Sequence, residues 1–419
     1  MKILLYSTNY YPEMTGIAKY NTEMAEWLVS KGHEVDVITA MPSYPEWEIY
    51  DGYKGKRYVT EIINGVRIYR TSLYVPNKNN TNGLRRLIMQ GTFTLNSLRF
   101  WFPLYLKKKK YDVMINLCPP LLPQVNSILY KWLKKTPILL HVQDLEFDAA
   151  LRLGIIKQRF LVKLLNSIEV FFFNKAKAIS SITYSMIDRI KEKKININRF
   201  IFFPNWSDIN FIIPRTKSNK FREMFSEHNG EKIIMYSGNM GKKQGLEMVI
   251  EVAEDFKKNK INNIKFIFVG DGVAKESLIE KKDSKQLDNV LFYPIQPLEK
   301  LPDLLASADI HLVIQKREAA DLVMPSKLTN ILSAGRTVIA TADQGTALHE
   351  VVNNSQSGMA IEPENKDALY DAINDLINRE NLLSFEKNAR NYAEEFLDKN
   401  TILSKFEQDL IRLIEEENN

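Results

Sequence analysis

The 419-residue sequence predicts an α/β protein made of two βα series, each a mostly parallel sheet covered by helices on both faces. Three observations carry this. Apolar runs of strand length alternate with helical stretches, the alternation pauses near Pro204, and it restarts at Lys232. A chain of this length also exceeds one ordinary core and fits two domains of about 200 residues.

In the first series KILLYS (Lys2–Ser7) is a short buried strand. A loop through Gly16 leads to a helical pattern near Ala18–Ser30, and KGHEVDVIT supplies the next strand. Two short β runs between Val59 and Arg70 meet at Asn64-Gly65, a hairpin turn signal. DVMIN (Asp112–Asn116), PILLHV (Pro137–Val142) and AISSI (Ala178–Ile182) continue the strands. Residues 205–230 carry Pro, Asn, Ser and scattered charge, as a linker does. The second series then runs through KIIMYSG (Lys232–Gly238), IKFIFVG, NVLFYP, ADIHLVI, TVIAT and GMAI, and the acidic stretch from Glu380 onward reads as helical. No internal repeat of short period and no low-complexity tract interrupts this order.

The composition, 45% hydrophobic and 26% charged, is that of a globular chain. The single cysteine, Cys118, excludes an internal disulfide and a cysteine-based zinc site, which fits a reducing compartment. The apolar start reads as a strand, without a cationic leader or cleavage site, and no window has the length of a spanning helix. The expectation is a cytoplasmic protein. The net charge of +6 is modest, and its placement matters more. LRRLIMQGTFTLNSLRFWFPLYLKKKK (Leu84–Lys110) and KQRFLVKLLNSIEVFFFNKAKA (from Lys157) mix cations with bulky apolar residues, a mix that suits the interface of an anionic bilayer, the favoured reading, with core helices with solvated charged ends as the alternative. No nucleic-acid module accompanies the charge.

Two segments carry chemistry. YSGNMGKKQGLEMVIEVAE is a strand, a turn with Gly238, Gly241 and Gly245, then a helix; small residues let amides approach a phosphate, the helix start favours an anion, and Lys242 and Lys243 can neutralise a diphosphate. The spacing is neither a Walker loop nor GxGxxG, so a plain structural turn fits it as well. The first loop, STNYYPEMTG, also lacks GxGxxG, which argues against a dinucleotide-dependent dehydrogenase. In AADLVMPSKLTNILSAGRTVIATA, Pro325-Ser326 opens a helix closed by Ala334-Gly335. Ser326 and neighbouring amides form a second anion cradle, Lys327 adds a charge, and Asn330 offers a donor and an acceptor to ribose hydroxyls. Asp271 between two glycines reads as a turn residue. His33, His228, His311 and His349 show no partner by spacing.

In their order these segments resemble glycosyltransferase family 4. The likeness runs from the Gly16 loop and KGHEVDVIT through HVQDLE (His141–Glu146), FPNWSD (Phe203–Asp208), FVGDG (Phe268–Gly272), LPDLLASADI and PSKLTNILSAGRTVIA, nearly the whole chain. HVQDLEFDA, GNMGKKQGLE and VMPSKLTNIL look most like the branch that builds O-antigens, capsules and colanic acid, which includes fucose and N-acetyl-fucosamine transferases. The resemblance implies the GT-B fold: two Rossmann-like domains whose parallel sheets face across a cleft. Residues 1–204 would take the acceptor, 205–230 link, 231–385 hold the nucleotide sugar, and 386–419 form a helical segment that can return to the first domain.

It implies site residues as well. Lys243 with Lys242 resembles the basic pair that binds the donor diphosphate, with Asn239 where many members have arginine. Gly16 resembles the glycine that lets the first loop approach the donor phosphate. His141 resembles the residue beside the transferring sugar, and Asp144 lies in the same loop. Ser326, Lys327 and Leu328 match the loop whose amides hold the diphosphate. The family's Glu-x7-Glu signature is missing, since Leu322 and Asn330 stand in its places with Asp321 beside the first, so ribose recognition rests on other groups. The implied reaction is sugar transfer with retention from a UDP- or GDP-sugar to a lipid-linked glycan at the cytosolic face of the inner membrane. Departure of the diphosphate is stabilised by lysines and amides. No carboxylate pair of the kind retaining glycosidases use is evident. Asp-x-Asp is absent too, so the expectation is an enzyme without metal or other cofactor. Two alternatives share the features, a nucleotide-sugar 2-epimerase and a non-catalytic nucleotide-sugar binding or assembly subunit.

Overall fold

The computed structural model describes residues 1–13, 16–77, 83–108, 110–145, 148, 158–226, 230–317, 325–379 and 382–418. The chain divides into two compact units, one of Met1–Pro204 with Leu403–Asn419 and one of Asn205–Ile402.

The first unit is built on an eight-stranded sheet in the order β3-β4-β2-β1-β5-β6-β7-β8. Strand β1 (Lys2–Tyr6) lies parallel to β2 (Glu34–Ala40) on one side and β5 (Val113–Cys118) on the other, so Ile3 faces Val35 and Val113. Buried on both faces, these strands read as unbroken apolar runs. The hairpin forms at Asn64-Gly65: β3 (Tyr58–Ile63) is antiparallel to β4 (Val66–Thr71), which joins β2 in parallel. Strands β6 (Ile138–Val142), β7 (Ala178–Ser181) and the three-residue β8 (Phe200–Phe202) complete the sheet.

Helix α1 (Ile17–Ser30) buries Tyr20, Met24, Trp27 and Leu28, positions 0, 4, 7 and 8 of one helical face, and Gly32 at φ +86 stops it. The crossovers into β5, β6 and β7 are α2 (Gly83–Leu106), α3 (Gln124–Lys134) and α4 (Arg159–Phe173). All three run the same way along the sheet, and right-handed crossovers lay them side by side on one face. Helix α5 (Tyr184–Glu192), capped by Thr183 Oγ1 accepting from the Met186 amide, leads to β8.

The second unit has a wholly parallel sheet, β11-β10-β9-β12-β13-β14. Its strands are β9 (Lys232–Ser237), β10 (Ile264–Val269), β11 (Val290–Tyr293), β12 (Ile310–Val313), β13 (Thr337–Thr341) and β14 (Gly358–Ile361). The stretch before β9 packs with this sheet. Its short helix α6 (Lys220–Phe225), capped by Asn219, buries Phe221 and Phe225, the latter against Tyr293. Arg222 donates to Asp309 Oδ2 at 2.9 Å and Lys217 reaches Oδ1 at 3.2 Å. Burial raises the Asp309 pKa, but Lys217, Arg222 and the Ile233 amide outweigh it and hold the carboxyl below its usual range. This lowered value contributes stability above the unfolded pKa and loses it as pH falls through the folded one. Asp309→Asn removes the charged partner of Arg222, which keeps the Ser307 and Glu231 carbonyls, and leaves Lys217 with Glu386; it is expected to cost about 2 kcal/mol, read as a lower melting temperature at neutral pH that converges on wild type in acid.

Helices α7 (Glu247–Lys258), α8 (Lys275–Ser284), α9 (Leu301–Ala306), α10 (Ser326–Ser333), α11 (Ala347–Ser355), α12 (Lys366–Ile377) and α13 (Leu383–Phe396) follow, and the division between units falls within α14 (Lys399–Asn418). Among the described residues no helix is long and apolar enough to cross a membrane.

Candidate functional site

In sheets of this kind the C-terminal strand ends beside the point where strand order reverses are where ligands bind. In the second unit that point lies between β9 and β12, and the glycine turn singled out in the sequence leaves β9 there. Gly238 (φ +128) accepts the chain from β9, a 3-10 turn spans Lys242–Gln244, Gly245 (φ +66) follows, and α7 begins. Asn239, Lys242 and Lys243 are exposed on this turn. The turn is held from two sides. The Met240 amide donates to Asp271 O at 2.7 Å and the Ala274 amide to Met240 O at 2.9 Å, fastening it to the Gly270-Asp271-Gly272 loop after β10. On the other side the Lys316 amide donates to Lys243 O at 2.9 Å, fastening it to the end of β12.

Helix α10 opens beside it. Ser326 is exposed and half-buried Asn330 accepts from Ser207 Oγ at 3.3 Å. Leu328 belongs to the core, and its amide donates to Pro325 O at 3.0 Å, so of the three matched residues it offers least to a ligand. Lys327 behaves differently from an ordinary helix lysine. Its Nζ lies 3.7 Å from the centroid of the Tyr236 ring and 3.4 Å from where a Cβ on Gly238 would stand. Although the residue is half-buried, Nζ is closed off from water and has no hydrogen-bond partner among the described residues. Burial, and then Lys243, push its pKa down to about 7. A buried ammonium with no partner among the described residues, set against the bare glycine of a phosphate-type turn, is suited to pairing with an anion. Leu322, which stands in the place of the first acid of the family signature, and Asp321 beside it lie outside the described residues.

The first unit reverses strand order between β2-β1 and β5. Gly16, exposed at φ +57, immediately precedes α1, and a Cβ there would meet nothing within 4 Å. His141, in β6, is 2% exposed with both ring nitrogens engaged. Gln143 Nε2 donates to His141 Nε2 at 2.7 Å, which leaves Nδ1 to carry the proton and donate to Ser180 Oγ at 2.9 Å. Burial pushes its pKa down to about 3, so it is a neutral, packed imidazole. Asp144, half-buried, sits close enough to Tyr44 to raise the phenol's pKa after burial and Glu13 have done so.

Sequence reading missed Glu13. It is 1% exposed, and Oε1 accepts from the Ser43 and Tyr44 amides at 2.7 and 2.8 Å while Oε2 accepts from Asn9. Burial pushes this carboxyl upward against those amides, Asn9 and Arg70. Glu13 thus pins the loop after β2 to the loop after β1. Nothing local in the sequence marks it, because the Ser43 and Tyr44 amides it holds lie some thirty residues away.

Residues 217–396 match the family described as Glycosyl transferases group 1, and residues 15–206 match the Glycosyl transferase 4-like domain. Over 419 aligned residues the chain is 39% identical to WcaI of Escherichia coli (strain K12), named for colanic acid biosynthesis glycosyl transfer, covering 98% of this chain and 100% of that protein. The chain belongs to the glycosyltransferases. Its fold is GT-B: sucrose-phosphate synthase from Thermosynechococcus elongatus superimposes with a TM-score of 0.76 at 15% identity over 99% of both chains. Anabaena Alr3699/HepE, solved in complex with UDP and glucose, does so at 0.71 and 14% identity over 98% of this chain and all of that one.

Proposed function

We propose that this glycosyltransferase moves a sugar, with retention, from a nucleotide diphosphate onto a lipid-linked glycan in the synthesis of a bacterial surface polysaccharide, working at the cytosolic face of the inner membrane. The observation that carries it is the Gly238–Gly245 turn with Lys243 exposed on it and, beneath, the Lys327 ammonium without a partner among the described residues, a cradle for a diphosphate. UDP is the preferred nucleotide, since HepE of the same fold binds it, and GDP is next; UDP-N-acetyl-fucosamine and GDP-fucose are the donors the branch resemblance favours.

In the transfer the bond from the anomeric carbon to the phosphate oxygen breaks and the acceptor oxygen bonds to that carbon from the same face. The acceptor proton passes to the departing diphosphate. The lysines and amides stabilise the charge gathering on that group, and the reaction needs no metal. His141, neutral and doubly hydrogen-bonded, positions the β6 end and moves no proton; Asp144, Gly16, Ser326 and Asn330 are the remaining ligand-facing candidates.

Calorimetric titration with UDP and GDP, with and without EDTA, tests this. One nucleotide should bind, unaffected by EDTA, and Lys243→Ala should weaken it about tenfold with little change in melting temperature, the effect of one charge-assisted contact. Absence of binding by either nucleotide would overturn the reading.

A further inference from the structure

Helix α3 is packed inside out. Its buried face carries Gln124, Asn126, Ser127 and Tyr130, whereas Val125, Leu129, Trp132 and Leu133 are exposed, Trp132 by 78%. The inward polar groups are matched to the interior: Gln124 Nε2 donates to Leu117 O at 2.9 Å, Asn126 Nδ2 to Thr94 O at 3.0 Å, and Ser127 Oγ to Asn116 Oδ1 at 3.3 Å. The orientation is therefore fixed, and a soluble helix would turn the opposite way.

The neighbours extend the apolar surface. Helix α2 exposes Leu95, Leu98 and Phe102, and α4 exposes Phe160 (75%), Leu164 and Phe171, again at helical spacing. The three helices are tied together by Lys134 Nζ donating to Lys107 O at 2.8 Å and Lys131 Nζ donating to Lys175 O at 2.7 Å. Among the described residues of these helices, exposed charge has one sign. Neither α2 nor α3 contains an acidic residue, and the one in α4, Glu169, is buried and paired with Lys193 at 2.6 Å. Exposed cations, Arg99, Lys108, Lys135 and Lys163 among them, rim the apolar side chains.

We propose that the α2–α3–α4 face of the first unit is a bilayer-docking surface, with Trp132 and Phe160 entering the headgroup region of anionic lipid. Apolar area supplies the insertion and the cations the preference for negative headgroups, each near the surface adding about 1 kcal/mol. A second copy of the chain fits less well, because two such faces would bring like charges together. This deepens the proposed function, resting on its lipid-linked acceptor for a purpose, but its test is independent of transfer.

The full-length protein is mixed with vesicles of phosphatidylcholine, with or without phosphatidylglycerol, and sedimented. It should partition to the anionic vesicles, less so at high salt. Trp132→Asp with Phe160→Asp should reduce partitioning at least about tenfold, given the burial each aromatic loses. Because both side chains are exposed, melting temperature and nucleotide titration should stay at wild-type values, which separates loss of docking from loss of the donor site. Equal partitioning by the variant, no preference for phosphatidylglycerol, or a wild-type dimer that the variant dissociates would each overturn the proposal.

Discussion

Gly270→Ala is expected to abolish measurable nucleotide binding and to cost the second unit about 3–5 kcal/mol. Gly270 sits at φ +150, and a Cβ there would stand 2.0 Å from the Gly238 carbonyl oxygen and 3.4 Å from the Gly238 amide nitrogen. Both obstacles are backbone, so no side chain can step aside. Backbone strain contributes about 1–3 kcal/mol, and forcing the two loops apart a similar amount. The loop that must yield is the turn bearing Lys242 and Lys243, so stability and binding fall together. Gly345→Ala is the comparison: its φ is +83, with nothing within 4 Å of the added carbon, and it should lose only about 1 kcal/mol. Melting curves and UDP titration of the two variants decide the matter. If they match, the close approach of the two loops does not hold the site.

Lys327→Met should move stability and binding in opposite directions. The ammonium's pKa falls from its ordinary 10.5 to about 7, chiefly through burial and next through Lys243. Below about 7 the lysine is charged both folded and unfolded, and the folded chain bears the full penalty of burying the charge. Between about 7 and 10.5 the unfolded chain holds the proton and the folded one does not, so this group makes wild-type stability rise with pH across that window. Removing it should stabilise the protein by about 2–4 kcal/mol at or below neutral pH, less than the full linkage value because the Tyr236 ring attracts the cation. The advantage should shrink as pH rises toward 10. Nucleotide affinity should fall at least about tenfold, since a diphosphate loses its buried partner. A variant less stable than wild type at pH 6 would show that the lysine serves packing.

What the sequence revealed of this fold follows from how local each signal is. Strands buried on both faces, such as Val113–Cys118 and Ile264–Val269, are apolar end to end and stand out by themselves. The hairpin at Asn64-Gly65 and the phosphate-type turn are written in adjacent residues. The three-residue strand Phe200–Phe202 has too few positions to show a period. Lys327 is legible as a charge beside the anion cradle, but its burial is not, because that is set by Tyr236, some ninety positions earlier in the chain. His141 drew notice as a residue near the sugar; its engagement by Gln143 and Ser180 depends on a strand pairing that sequence does not specify. The inversion of α3 escaped for a related reason. QVNSILYKWLK has a polar side and an apolar side, and the period cannot tell which meets the sheet.

The return of the last helix to the first unit sets a timetable for synthesis. Phe203 stacks on Phe406 with centroids 3.7 Å apart, and His33 meets Glu407 at 2.6 Å, so the start of the chain is completed by its end. When Pro204 leaves the ribosome, Phe203 has His141 and His33 has the Met1 amine, but Phe406 and Glu407 do not yet exist. At the usual translation speed they arrive roughly 10–40 s later. The second unit, contiguous from Asn205 to Ile402, has its full sequence first. The nascent protein should therefore finish its later-made half before its earlier one, leaving an apolar seam on the first unit for chaperones to cover until α14 has been made.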